Sequence, residues 1–183
     1  MSDASGSTGS TLILGPSDVG KTRATAAALE DWTAKQGVEG VVVLEFAPEV
    51  RRDDGTLLGG RLTRFTTPPD EAWCGVLEAN APRASATSQQ EALALARRNG
   101  ANAATLFDAA PRPTALFVND ATIPFQHPAY PPTPLLGLLE DATYAVLNAF
   151  ESTELGRDDP ISRTERETRE QLRTAVDRVC RLE

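Results

Sequence analysis

A chain of 183 residues, 40% of them hydrophobic, is long enough to bury one core and short for more than one domain. Its net charge of −8 and isoelectric point near 4.8 argue against broad binding to nucleic acid or an anionic membrane, since both need a positive surface. No apolar run approaches the roughly 20 residues that span a bilayer, and the two cysteines, Cys74 and Cys180, make neither a disulfide framework nor a metal site.

Met1 to Ser10 are small and polar, without the basic and apolar regions of a secretory signal. They read as a disordered lead-in to a single domain over 11–183, in a cytoplasmic protein. Thr11 to Gly15 is a short apolar run ending in glycine, a buried strand. The alanine-rich stretch from Lys21 to about Gln36 is a helix, and Gly37 is placed to stop it. Val41 to Phe46 is β-branched and apolar, a second buried strand. Strand, helix and strand form a βαβ unit and imply a parallel sheet.

Residues 47–60, with Pro48, Asp53, Asp54, Gly55, Gly59 and Gly60, read as a loop. Short strands are expected at Arg61–Thr66 and Trp73–Ala79, and a helix over Gln89–Phe107. Ala115 to Asp120 is a third buried strand. The prolines between Pro124 and Pro134 mark an irregular stretch, followed by a helix over Leu135–Asp141 and a strand over Tyr144–Asn148. Ser162 and Glu165 fit a capping box that opens a charged helix. Its expected outer face carries Glu165 and Arg169, and its apolar side Leu172, Ala175, Val176 and Val179. Arg178–Leu182 either continues that helix or forms an edge strand. The pattern predicts an α/β fold, a three-layer α/β/α sandwich with a mainly parallel sheet.

The segment Gly15-Pro-Ser-Asp-Val-Gly20-Lys21-Thr22 matches G-x-x-x-x-G-K-[ST] without departure. A triphosphate needs a ring of backbone N–H donors, and glycines let the backbone curl closely around it. The helix starting here adds its positive end. Gly15, Ser17, Asp18, Val19 and Gly20 form the cradle. Lys21 reaches the β- and γ-phosphates, and the Thr22 hydroxyl binds magnesium. The only other lysine in the chain is Lys35.

On these residues the chain resembles the P-loop NTPase superfamily, over residues 11–46 and more loosely through the later strands. The wording of the loop is similar to that of polynucleotide 5′-kinases of the RNA-processing type. Their strand after the first helix ends in paired aspartates, whereas this one ends Leu44-Glu45-Phe46, and the chain is acidic. Both features point away from a nucleic-acid substrate. The resemblance implies ATP with Mg²⁺, and a second acid for the metal at the end of an apolar strand. Asp120 is that Walker-B-like candidate, with Asn119 occupying the other strand face; alternatively Asp120 only caps a turn. The next residue is Ala121, so the water-activating glutamate of many motor ATPases is missing.

Glu45 is costly to bury within Val-Val-Val-Leu-Glu-Phe unless used or paired. Small-molecule P-loop kinases hold a base at a similar place, which makes Glu45 a candidate base or ligand of a magnesium-bound water, or else a salt-bridged structural acid. Arg51, Arg52, Arg61 and Arg64, with Arg83 further on, are candidates to clamp phosphate or carboxylate, or form a solvated face. GTPases place N-K-x-D where this chain has Asn148-Ala-Phe-Glu151, so ATP is favoured over GTP. His127, Trp32 and Trp73 read as packing or surface residues. Two functional classes fit. One is a phosphotransferase or slow NTPase acting on a small polar acceptor. The other is a nucleotide-dependent switch or assembly factor acting on a protein partner.

Overall fold

The computed structural model describes residues 8–51, 55, 57, 58, 60–152 and 158–183. Six strands form one parallel sheet in the order β5-β2-β6-β7-β1-β8. They are β1 (Gly9–Gly15), β2 (Val41–Glu45), β5 (Trp73–Val76), β6 (Ala115–Asn119), β7 (Tyr144–Phe150) and β8 (Arg178–Arg181). Every residue of β2 and β6 is buried, as expected of parallel strands covered on both faces. Alternation along the strands sorts the core into two layers. Ile13, Val43, Phe117 and Val146 face helix α1 (Lys21–Gln36), which supplies Ala26, Leu29 and Trp32. Leu14, Leu44, Val118 and Leu147 face the opposite layer, packed with Ala103 of α3 (Gln89–Ala109), Leu135 and Leu139 of α4 (Thr133–Asp141) and Leu172 of α5 (Pro160–Ala175). The result is a three-layer α/β/α sandwich.

Differences from the sequence reading have local causes. β1 starts at Gly9, so Gly9 and Ser10 belong to the sheet, while residues 1–7 of the expected lead-in lie outside the described residues. Within the expected 47–60 loop, β3 (Val50–Arg51) and β4 (Leu57–Leu58) pair antiparallel. The strand expected at Arg61–Thr66 is instead a 3-10 turn, Leu62–Arg64, because the Leu62 N–H is held by the Glu45 carboxylate rather than by a neighbouring strand. Part of the expected irregular stretch is another 3-10 turn, Ile123–Phe125. Helix α5 opens two residues before Ser162: Asp159 caps it by accepting from the Ser162 N–H, with Pro160 in the first turn. Glu165 is buried and does not lie on the outer face, and Arg169 pairs with Glu151 instead. Arg178–Arg181 is the edge strand, and Val179 is exposed there instead of extending the apolar side of α5. A four-residue helix, α2 (Pro82–Ser85), precedes α3.

Candidate functional site at the carboxyl edge

The segment 15–22 links the end of β1 to the start of α1. Asp18 (φ 61°) and Gly20 (φ 95°) are left-handed, and they turn the chain back over the sheet edge. A side chain at position 20 would find open space, so glycine is required there by backbone conformation rather than by crowding. Gly15 is crowded: a Cβ would come within 2.5 Å of the Leu182 carbonyl and 3.0 Å of Val19 Cγ2. Helix α1 opens at Gly20 without a side-chain cap and without an acidic residue in its first turn. Its first N–H groups have no intrahelical acceptors. Lys21 is buried, and its ammonium donates to the Pro16 carbonyl across the loop. Ser17 and Asp18 are exposed, and Val19 and Thr22 are half-buried.

Glu45 and Asn119 end their strands and Asn148 lies two residues before the end of β7, on three neighbouring strands and all on the α1 side. They are buried and joined by one hydrogen-bond network. Asn119 Nδ2 donates to Glu45 Oε1 and to the Gly60 carbonyl, each at 2.8 Å. Asn148 Nδ2 donates to Asn119 Oδ1 and to Thr25 Oγ1, also at 2.8 Å, and Thr25 Oγ1 donates to the Lys21 carbonyl. Asn148 Oδ1 accepts the Asp120 N–H. The network therefore runs from residues 60–62 to the first turn of α1. Glu45 has no ion pair among the described residues. Its Oε2 accepts from the Leu62 N–H at 2.7 Å and its Oε1 also from the Ala47 N–H at 3.0 Å. Burial pushes its pKa up to about 7, against the pull of these donors.

Asp120 follows the last residue of β6 in a left-handed conformation (φ 56°), which takes it out of the strand alternation and leaves Asn119 as the buried, network-forming residue. Burial raises its pKa to about 6; Lys21 pulls it down and Glu165 pushes it up, so its carboxyl lies within electrostatic reach of both. Glu165 is a site neighbour that the sequence reading set on a solvent face. Its Oε2 pairs with Arg83 at 2.6 Å, and its Oε1 accepts from Thr122 at 2.8 Å and Gln126 at 3.3 Å. Arg83 also donates to Ser162 Oγ and stacks over Phe150, whose backbone is in register with Gly15. Arg61 pairs with the exposed Glu78. Arg52 lies outside the described residues, and of Arg51 only the backbone is described. His127 packs edge-on against Tyr130, Trp32 stacks on Tyr144, and both cysteines are free and exposed.

Among the described residues no three histidine, cysteine, aspartate or glutamate side chains converge as a cage for a metal ion. Thr22, next to Lys21 in the chain, and Asp120, within electrostatic reach of Lys21, would be a sparse donor set. That suits magnesium, which takes one or two protein oxygens and completes its shell with phosphate and water. The loop, with its left-handed Gly20, uncapped helix start and buried ammonium, fits a phosphate chain. Comparison with protein-family models, with curated proteins and with solved structures finds no match for the chain. No helix among the described residues is long and apolar enough to cross a membrane.

Proposed function

We propose that the chain binds a nucleoside triphosphate with magnesium at this edge, ATP in preference to GTP, and acts as a phosphotransferase or slow NTPase with a small polar acceptor. The observation that carries the reading is the opening of α1: an uncapped helix start at a left-handed glycine, with Lys21 buried beside it within reach of Asp120. In this reading the loop N–H groups and Lys21 hold the phosphates, while Thr22 and Asp120 hold the metal, which when bound neutralises charge on the phosphate oxygens. Asn148 holds the Asp120 backbone and, through Thr25, the first turn of α1. ATP is preferred because Asn148-Ala-Phe-Glu151 lacks the guanine-reading aspartate. The engagement of both Glu45 oxygens by N–H donors favours a second reading, a nucleotide-dependent switch acting on a protein partner, in which Glu45 anchors a neighbouring segment instead of accepting a proton.

Calorimetry on wild type and Lys21→Ala tests the first claim. The variant should lose MgATP affinity by about 100-fold or more, the size expected for removing charge-assisted bonds to phosphate. Equal affinity in the two proteins would end the proposal, and tighter binding of MgGTP than MgATP would end the base preference.

A further inference from the structure

An open sheet ends in two edge strands whose outward backbone groups have no partner within it. Among the described residues these edges are β5 and β8. β8 reads Arg178-Val-Cys-Arg181, all exposed, and charged side chains of this kind blunt an edge against another strand. β5 has no such protection. From Ala72 to Leu77 the sequence is Ala-Trp-Cys-Gly-Val-Leu, without a charge in a chain of net charge −8. Val76 is 45% exposed, more than any other large apolar side chain described, and Cys74 is exposed two residues before it.

The pairing of β5 with β2 fixes which backbone groups point outward. The Leu77 N–H donates to the Glu45 carbonyl, so residues 75 and 77 turn their N–H and C=O groups toward β2. The alternate residues, Cys74 and Val76, turn theirs away from the sheet. The side chains of these two lie in register with Val43 and Glu45, on the α1 side. On the other side Trp73 closes the strand over itself: a Cβ at Gly75 would come within 2.7 Å of its ring. The exposed part of β5 is therefore one apolar strip with free donors and acceptors at Cys74 and Val76.

We propose that β5 is a self-association edge, which pairs antiparallel with β5 of a second copy of this chain about a two-fold axis at Gly75. This register sets Cys74 opposite Val76 of the second copy and Val76 opposite its Cys74, so the outward N–H and C=O groups of both residues are satisfied in two hydrogen-bonded pairs. The four exposed apolar side chains then cover one another on the α1 side. Gly75 meets Gly75 of the second copy on the axis, where no side chain projects. Moving the axis to Val76 sets the acid Glu78 opposite Cys74, and moving it to Cys74 sets Val76 opposite Ala72, outside the strand. A second copy fits better than a basic partner, because the strip offers no charge to recognise. Pairing through four residues a side buries less than the roughly 1,200 Å² of a standard interface, so the dimer is weak and concentration-dependent. The proposal is independent of the triphosphate reading of the 15–22 loop.

Sedimentation equilibrium of the full chain over about two decades of concentration tests this, with a reductant present so that neither cysteine can join two copies. A reversible monomer–dimer equilibrium is expected. Cys74→Lys and Val76→Lys should each weaken it about tenfold or more, since each sets a charge against an apolar residue of the second copy at an edge. Both positions are exposed, so the urea midpoint should stay close to wild type, and either variant serves if the other fails to fold. Val179→Lys, on the opposite edge, should dimerise like wild type. Amide hydrogen exchange reads the geometry: the N–H groups of Cys74 and Val76 should become protected as concentration rises, and those of Val179 and Arg181 should not. The proposal is overturned if the chain stays monomeric throughout, if folded Cys74→Lys or Val76→Lys dimerises like wild type, or if a dimer forms with the Cys74 and Val76 amides unprotected. Loss of the dimer in Val179→Lys with protection on β8 would overturn it in favour of the other edge.

Discussion

Glu45 carries an energetic signature that can be read in solution. An ordinary carboxyl of this type titrates near 4.5, and in the fold burial pushes it to about 7. A raised carboxyl keeps its proton in the folded chain at pH values where the unfolded chain has lost it. Its contribution to stability is therefore full below about 4.5 and is lost as pH rises to about 7, a change on the order of 3 kcal/mol. Asp120 acts in the same sense but is finished near pH 6, so the window from 6 to 7 belongs mainly to Glu45 of this pair. Subtracting the urea stability of Glu45→Gln from that of wild type across pH 4 to 8 should give a curve that falls with pH. Parallel curves would show that Glu45 is not buried with its proton. Its neighbour makes a second contrast. Asp120→Asn should raise the magnesium needed for MgATP binding, while Asn119→Ala should mainly cost stability, by about 2–4 kcal/mol, because Glu45, Asn148 and the Gly60 carbonyl each lose a buried partner. A magnesium titration with the opposite ranking would place the metal on the Asn119 face. The sequence singled out Glu45 by the oddity of an acid in an apolar strand. Its partners were not legible, since Leu62 and Asn119 lie 17 and 74 residues away.

At the scale of elements, the helices and strands with strong periodicity were legible, and the end of α1 was placed near Gln36 because alanine propensity and Gly37 agree. Helix α5 was misread for a physical reason. Its buried residues are Ile161, Ser162, Glu165, Thr168 and Leu172, and three of those five are polar. A stripe defined by apolar residues misses them, and the outward side was assigned to Glu165. What buries Glu165 is Arg83 on α2, itself only 13% exposed, together with Thr122 and Gln126. Breaking such a pair strands a charge in the interior. Glu165→Ala or Arg83→Ala should each cost about 3–5 kcal/mol by chemical denaturation, whereas the double variant should cost clearly less than their sum. Additive costs would mean that the pair is screened by water and does not lock α5 to α2.

At the scale of the molecule, four of the six strands of the sheet were plain in the sequence and a three-layer sandwich followed from them, but the strand order did not. Order is set by pairings between distant segments: β7 intervenes between β1 and β6, and β8 closes the far side of β1. That last pairing makes β8 and Leu182 part of the candidate site. The Leu182 N–H donates to the Leu14 carbonyl at 2.8 Å, and the Leu182 carbonyl faces the Gly15 Cα where a Cβ would come within 2.5 Å of it. Arg181 also holds Glu151, the residue following β7, at 2.8 Å. Removing 178–183 should expose β1 as an edge and lower stability by about 3 kcal/mol, or roughly 6–12 °C in Tm for a chain of this size. Gly15→Ala in the full chain should be strongly destabilising, because the new methyl group meets a backbone carbonyl that is itself fixed by the sheet. In the truncated chain that carbonyl is gone, and Val19 Cγ2 at 3.0 Å and the backbone strain of a side chain at φ 157° remain. The cost of Gly15→Ala should then fall by at least half, measured as the difference in urea midpoints between the two backgrounds. An undiminished cost would show that Gly15 is required by the loop conformation alone, and that β8 does not shape the start of the 15–22 segment.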